Sequence, residues 1–197
     1  MNHSDAVVYR IDASDRIVAV NDAWTAFALA NDGEHLLQPD IIGKNLWDMI
    51  SDPTTRDLYE TMVIRVRQGK GIFRFTFRCD SPEMRRLLQM EIAALKDHGV
   101  RFRVTPLSVQ AREPVRLIST GLTRSNALMQ ICGWCKRLPA PDGTWIEIEE
   151  AAQTLNIFHG SPMPTLTHGI CPVCHESINE LLDDPMLGLS GLATEGE

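Results

Sequence analysis

Ile72-Phe-Arg-Phe-Thr-Phe-Arg-Cys79 alternates apolar and polar residues with a period of two. On an extended chain Phe73, Phe75, Phe77 and Cys79 share one face, and Arg74, Thr76 and Arg78 the other. The pattern returns in 86–94, where Leu88, Met90 and Ile92 share a side. It returns again in 100–104, with Val100, Phe102 and Val104 opposite Arg101 and Arg103. Asp97-His98-Gly99 supplies a turn between the last two runs. Short connections between alternating runs predict an antiparallel meander, buried on one face and wet on the other.

Upstream, 6–12 and 16–20 are apolar runs separated by Ser14-Asp15, which predicts a hairpin. Asn21 or Asp22 can cap a helix through Ala30 that carries Trp24 and Phe27 on one side. Asp52-Pro53 opens a longer helix, with Leu58, Met62 and Val66 four residues apart, and Gly69 and Gly71 end it. Two strands, helices, then three antiparallel strands make an α+β order.

That order, with Val8-Tyr-Arg-Ile-Asp12 leading to Arg16-Ile-Val-Ala-Val-Asn21 and a glycine-led Gly43-Lys-Asn-Leu46-Trp47-Asp-Met-Ile50, resembles a PAS sensory domain over about residues 6–110. The resemblance implies a five-stranded antiparallel sheet with helices on one face. It also implies a role in sensing or dimerisation. Trp24, Phe27, Met62, Phe75, Phe77, Cys79, Met90 and Phe102 then become candidates for a ligand pocket between sheet and helices. Plain core packing accounts for the same residues equally well. The cysteine motif of flavin-photochemical members is absent, and the helix over 55–68 holds no histidine to ligate haem iron. No bound chromophore is expected.

Downstream, Cys132-Gly-Trp-Cys135 and Cys171-Pro-Val-Cys174 are separated by 35 residues. Each Cys-x-x-Cys turn can present two thiolates to one ion, and two such turns complete a tetrahedral set. The gap exceeds the roughly 15–20 residues of common zinc ribbons, so an extra element must loop out. The expected cofactor is structural Zn²⁺ on Cys132, Cys135, Cys171 and Cys174, with His168 as an alternate ligand or a donor to a thiolate. A segment of about 50 residues has little core of its own, and an ion would staple it. Reduced free thiols are one alternative. A thiol-based redox sensor or oxidoreductase is another, since each turn resembles those of dithiol enzymes. Cys171-Pro-Val-Cys174-His175 also fits the haem-attachment spacing, but that chemistry requires export and leaves the first pair unexplained. Ile131-Cys-Gly-Trp-Cys-Lys-Arg137 together with His168-Gly-Ile-Cys-Pro-Val-Cys174 looks like a cysteine-rich tail found after PAS-type domains in bacterial signalling proteins.

Charge divides the chain. Residues 138–197 hold ten acidic residues and neither lysine nor arginine, while 1–137 hold 16 acidic and all 19 basic residues. Four thiolates on Zn²⁺ add a further charge of about −2, so the cysteine segment lacks the basic surface that nucleic acid needs. Arg74, Arg78, Arg85, Arg101 and Arg103 fall on the outward strand face, where the acidic segment could dock. No leader pattern opens the sequence and no run approaches a membrane span, which gives a cytoplasmic expectation without membrane contact. The expected organisation is a PAS-like domain over 1–110, a connector over 111–128 with a weak helical pattern, a four-cysteine zinc-knuckle module over 129–182 and a flexible tail over 183–197. No kinase, phosphate-loop or hydrolase motif is present. The expected function is non-enzymatic signal sensing and transmission. A protein partner or a homodimer would form through the PAS-like domain, and the connector would carry the signal. A haem- or flavin-binding PAS sensor is the further alternative.

Overall fold

The computed structural model describes residues 6–31, 33–154 and 162–184. Strands β1 (Val7–Ile11) and β2 (Ile17–Val20) form the N-terminal hairpin. The Asp12 carboxylate accepts the N–H groups of Ser14 and Arg16 at 2.8 and 2.9 Å, which closes the turn. Asn21 caps helix α1 (Asp22–Leu29) by accepting the Trp24 N–H at 3.1 Å. Its other bonds, to Ala6 and Val8, tie the helix start to β1. Asp52 caps helix α2 (Pro53–Arg67) at 2.7 Å, with Pro53 in the first turn where a missing N–H costs nothing. Leu58, Met62, Val63 and Val66 form its buried stripe.

The meander consists of β3 (Phe73–Arg78), β4 (Met84–Ala94) and β5 (Val100–Ala111). β5 pairs with β1, giving one antiparallel sheet in the order β2-β1-β5-β4-β3. The register places Phe73 opposite Ile92 and Ile92 opposite Phe102, so consecutive rungs bury large side chains on one face. Tyr9 stacks on Phe102 at 4.6 Å on the same face. Met62, Phe73, Ile92, Val100 and Phe102 are fully buried between this face and the helices.

The C-terminal part contains β6 (Arg124–Cys132), a short hairpin of β7 (Leu138–Pro139) and β8 (Trp145–Ile146), helix α3 (Ile148–Thr154), β9 (Met163–Gly169) and helix α4 (Pro172–Asp183). The weak helical pattern expected in the 111–128 connector is not what forms. β5 runs to Ala111, a single 3-10 turn follows at Arg116–Ile118, and β6 begins at Arg124. The reason is tertiary: β6 finds a parallel partner, β9, about 40 residues later in the chain. The 185–197 part of the expected flexible tail lies outside the described residues.

Two apolar clusters result. Val115, Leu117, Ile131, Leu138, Ile148, Ala151 and Met163 form a small core inside the C-terminal part, so this part has more core than its length suggests. The larger cluster is shared. Cys132, Trp134, Cys171, Ile178, Leu181 and Leu182 are buried together with the sheet and α2. Among the described residues no helix is long and apolar enough to cross a membrane.

Candidate metal centre

Parallel pairing brings the two Cys-x-x-Cys turns together. Strands that run in the same direction end on the same side, and here Cys132, the last residue of β6, is level with Gly169, the last of β9. Each strand then opens into a cysteine turn. In the first turn the Cys132 N–H donates to the Arg137 carbonyl at 2.9 Å, and the Lys136 N–H donates to the Cys132 carbonyl at 3.0 Å. Lys136 adopts a left-handed φ of 63° to make that return. The Gly133 N–H donates to the Gly169 carbonyl at 2.8 Å and pins the first turn to the second.

The second turn is the start of a helix. Cys171 is the cap of α4, and its Sγ accepts the Cys174 N–H at 3.4 Å. Pro172 occupies the first turn, and the positive helix end faces the sulfurs. The Cys171 N–H donates to Cys132 Sγ at 3.4 Å. These N–H groups favour thiolates over thiols.

All four Sγ atoms lie within 4.8 Å of one another, and Cys135 and Cys171 approach to 3.7 Å. A tetrahedral ion with sulfurs at about 2.3 Å requires sulfur–sulfur edges of about 3.8 Å. A disulfide needs about 2.05 Å, far shorter than the Cys135–Cys171 contact. All five cysteines are free thiols. Cys132 and Cys171 are buried, and Cys135 and Cys174 half-buried. Hydrogen bonds from Cys135 and Cys174 hold the Cys132 thiol well below the ordinary cysteine range. The reciprocal bond to Cys132 pushes Cys135 up to about 12, and bonds to Cys132 and Cys135 drive Cys174 up as well. Four packed thiols cannot all lose their protons unaided. A divalent cation replaces those protons, so this donor set can hold a metal ion. With four protein ligands the set is closed and leaves no position for a reactive water.

His168 does not join the four sulfurs. It sits on β9 opposite Ile131 with its side chain exposed. The residues expected to line a ligand pocket are divided. Met62, Phe75, Met90 and Phe102 are buried in the core, while Trp24, Phe77 and Cys79 are half-buried. Burial pushes the Cys79 thiol up, away from reactivity. Phe27 is 37% exposed, with the Arg86 guanidinium over its ring. Two open recesses lie elsewhere. One, of about 240 Å³, is lined by Arg78, Arg85, Leu87, Ser108 and Gln110, and another, of about 350 Å³, involves Ala6, Val8, Asn21 and Arg103.

Trp134 occupies the aromatic region instead. It lies between Cys132 and Cys135 in sequence and is 5% exposed, with its ring 5.6 Å from Tyr59 and 5.9 Å from Phe75. Its carbonyl accepts the Arg78 N–H at 2.6 Å, at the end of edge strand β3. The sequence offered one signal for this: a large aromatic inside a turn that is otherwise polar or small.

The outward arginines also separate. Arg78 is buried and pairs with Asp80, Glu147 and Glu149, and Arg112 joins Asp80 and Glu149. Arg85 reaches Glu147 and Glu149 at 3.6 and 3.8 Å. The acidic segment therefore does dock on part of the arginine face, within one chain. Arg74 and Arg101 pair with Glu91 of β4, and Arg103 stands exposed.

No protein-family model matches the chain, and no curated protein matches it. A domain of an HTR-like protein from Haloarcula marismortui overlaps 52% of this chain and 98% of its own, at 13% identity and a TM-score of 0.37. The C-terminal domain of a Streptococcus mutans protein overlaps 54% of this chain and 79% of its own, at 15% identity and a TM-score of 0.38. At these scores neither carries an argument about the fold or the function of this chain. What the chain itself holds is a mixed α/β fold with a five-stranded antiparallel sheet and a cluster of four cysteines able to take a metal ion.

Proposed function

We propose that the protein senses or transmits a signal without catalysis, through a PAS-like sheet coupled to a zinc-stabilised module that binds a protein partner. The PAS-like reading is supported by the five-stranded antiparallel sheet with α1 and α2 packed against it. Zinc is the ion chosen because four clustered sulfur donors suit zinc or iron, and only zinc is inert to redox change. The observation that carries the proposal is the convergence of both cysteine pairs on one point, beside a tryptophan inserted into the core of the sheet. Convergence favours a single ligand set over two independent dithiol centres.

Elemental analysis of freshly purified full-length protein tests the reading. One zinc per chain is expected, with all four cluster thiols protected from alkylation until a chelator is added. Metal-free protein that cycles two disulfides would establish the redox alternative in its place.

A further inference from the structure

The centre has a position that a mere staple would not need. Its first turn delivers Trp134 onto Tyr59 of α2 and Phe75 of β3. Its second turn starts α4, whose Ile178, Leu181 and Leu182 are buried in the same cluster. Arg65 of α2 donates to the Leu182 carbonyl near the end of α4. Both pieces that leave the centre thus land on the sheet and α2.

We propose that ion occupancy of the four-cysteine centre is a latch: occupied, it keeps Trp134 and α4 against α2 and β3, and emptied, it lets both lift while the five-stranded sheet stays folded. This rests on the centre being a metal site, and it names loss of a soft divalent cation as the event the protein reads. The route from centre to sheet is then the Trp134 contact and α4, in place of the connector over 111–128.

Three observations support the asymmetry. The deepest part of the shared core comes from the chain before residue 112: Ile11, Met62, Phe73, Ile92, Val100 and Phe102 are fully buried. The stretch 133–136 forms neither helix nor strand, so its few backbone bonds and the four sulfurs hold it. The Trp134 indole Nε1 is buried with no hydrogen-bond partner, which penalises the inserted position. That penalty offsets part of what the ring gains by packing on Tyr59 and Phe75, so the inserted position depends more on its tether.

Hydrogen exchange on the full chain, zinc-loaded and then treated with EDTA, tests the latch. On chelation, amides in 132–136 and 173–183, together with the Arg78 amide that donates to the Trp134 carbonyl, should exchange at least tenfold faster. Amides in β1 and β5 should not change, and added zinc should restore protection. Loaded protein in which only 132–136 responds overturns the latch and leaves the zinc site standing. Loss of protection throughout β1 and β5 also overturns it, since the ion would then hold the whole fold. Protein that never contains metal, yet protects α4, removes the site and the latch together. Trp134→Phe gives the independent arm: zinc should remain at one per chain while the change in tryptophan fluorescence that chelation causes in the wild type falls at least twofold. A chelation response as large in that variant as in the wild type overturns the role given to Trp134.

Discussion

Replacing Arg78 by methionine isolates the ionic contact between the sheet and the C-terminal part. The Arg78 side chain is 6% exposed and faces Asp80, whose side chain is fully buried, together with Glu147 and Glu149. Methionine matches the buried stem of arginine and removes its charge. Asp80 keeps Arg112 at 3.0 Å and the Arg86 N–H at 3.1 Å, so the stranded charge is only partly uncovered. Breaking a buried pair from one side costs roughly 3–5 kcal/mol, and the remaining partners place Arg78→Met near 3. A loss of ~3 kcal/mol is about a 150-fold shift in the folding equilibrium. With a urea slope of about 2 kcal/mol/M it lowers the midpoint by about 1.5 M. The assay is urea denaturation of metal-loaded protein at neutral pH, followed by tryptophan fluorescence. Asp80→Asn added to Arg78→Met should recover part of the loss, because the stranded carboxylate is then neutral. A midpoint shift below about 0.3 M, or a double variant no more stable than the single, refutes the stranded-charge explanation.

Phe102→Ala removes a fully buried ring stacked on Tyr9 and should cost about 3–5 kcal/mol in the same denaturation assay, with Phe102→Leu costing less. Burial raises the Glu91 pKa, but hydrogen bonds and charge from Arg74 and Arg101 outweigh it and leave the group below its ordinary range. A lowered carboxyl pKa stabilises the fold above the ordinary glutamate pKa of about 4.3, and that contribution fades as pH falls through the folded value. The stability difference between wild type and Glu91→Gln should therefore be present at pH 6 and vanish toward pH 3, and a gap that widens on acidification contradicts the sign.

The meander was legible because strand periodicity is local: Phe73, Phe75 and Phe77 declare their face without reference to any partner. The helix starts at Asn21 and Asp52 were legible for the same reason, since a cap and its first turn are adjacent in sequence. The four sulfurs were legible from spacing alone. β6 was not, because its partner β9 lies about 40 residues away and parallel pairing leaves no turn signal between the two. The packing of Trp134 was not legible, because nothing in Cys-Gly-Trp-Cys says which surface the ring meets. Arg78 was rightly set on the outward face, but its depth depends on Glu147 and Glu149 closing over it, which is a property of the assembled chain. The side chains set aside for a ligand divide between core and surface, and the rings packed against Phe75 are Tyr59 and an indole from the other end of the sequence.

β3 is the last strand of its sheet, and its final rung is closed by a carbonyl from the cysteine turn. Cutting the gene after residue 112, an obvious place to make a shorter protein, uncovers that rung, bares Phe75 and Tyr59, and leaves Arg78 without two of its three counter-ions. Such a fragment presents a sticky border to its own copies. Crystallisation or binding work on the front half is better served by keeping the chain whole.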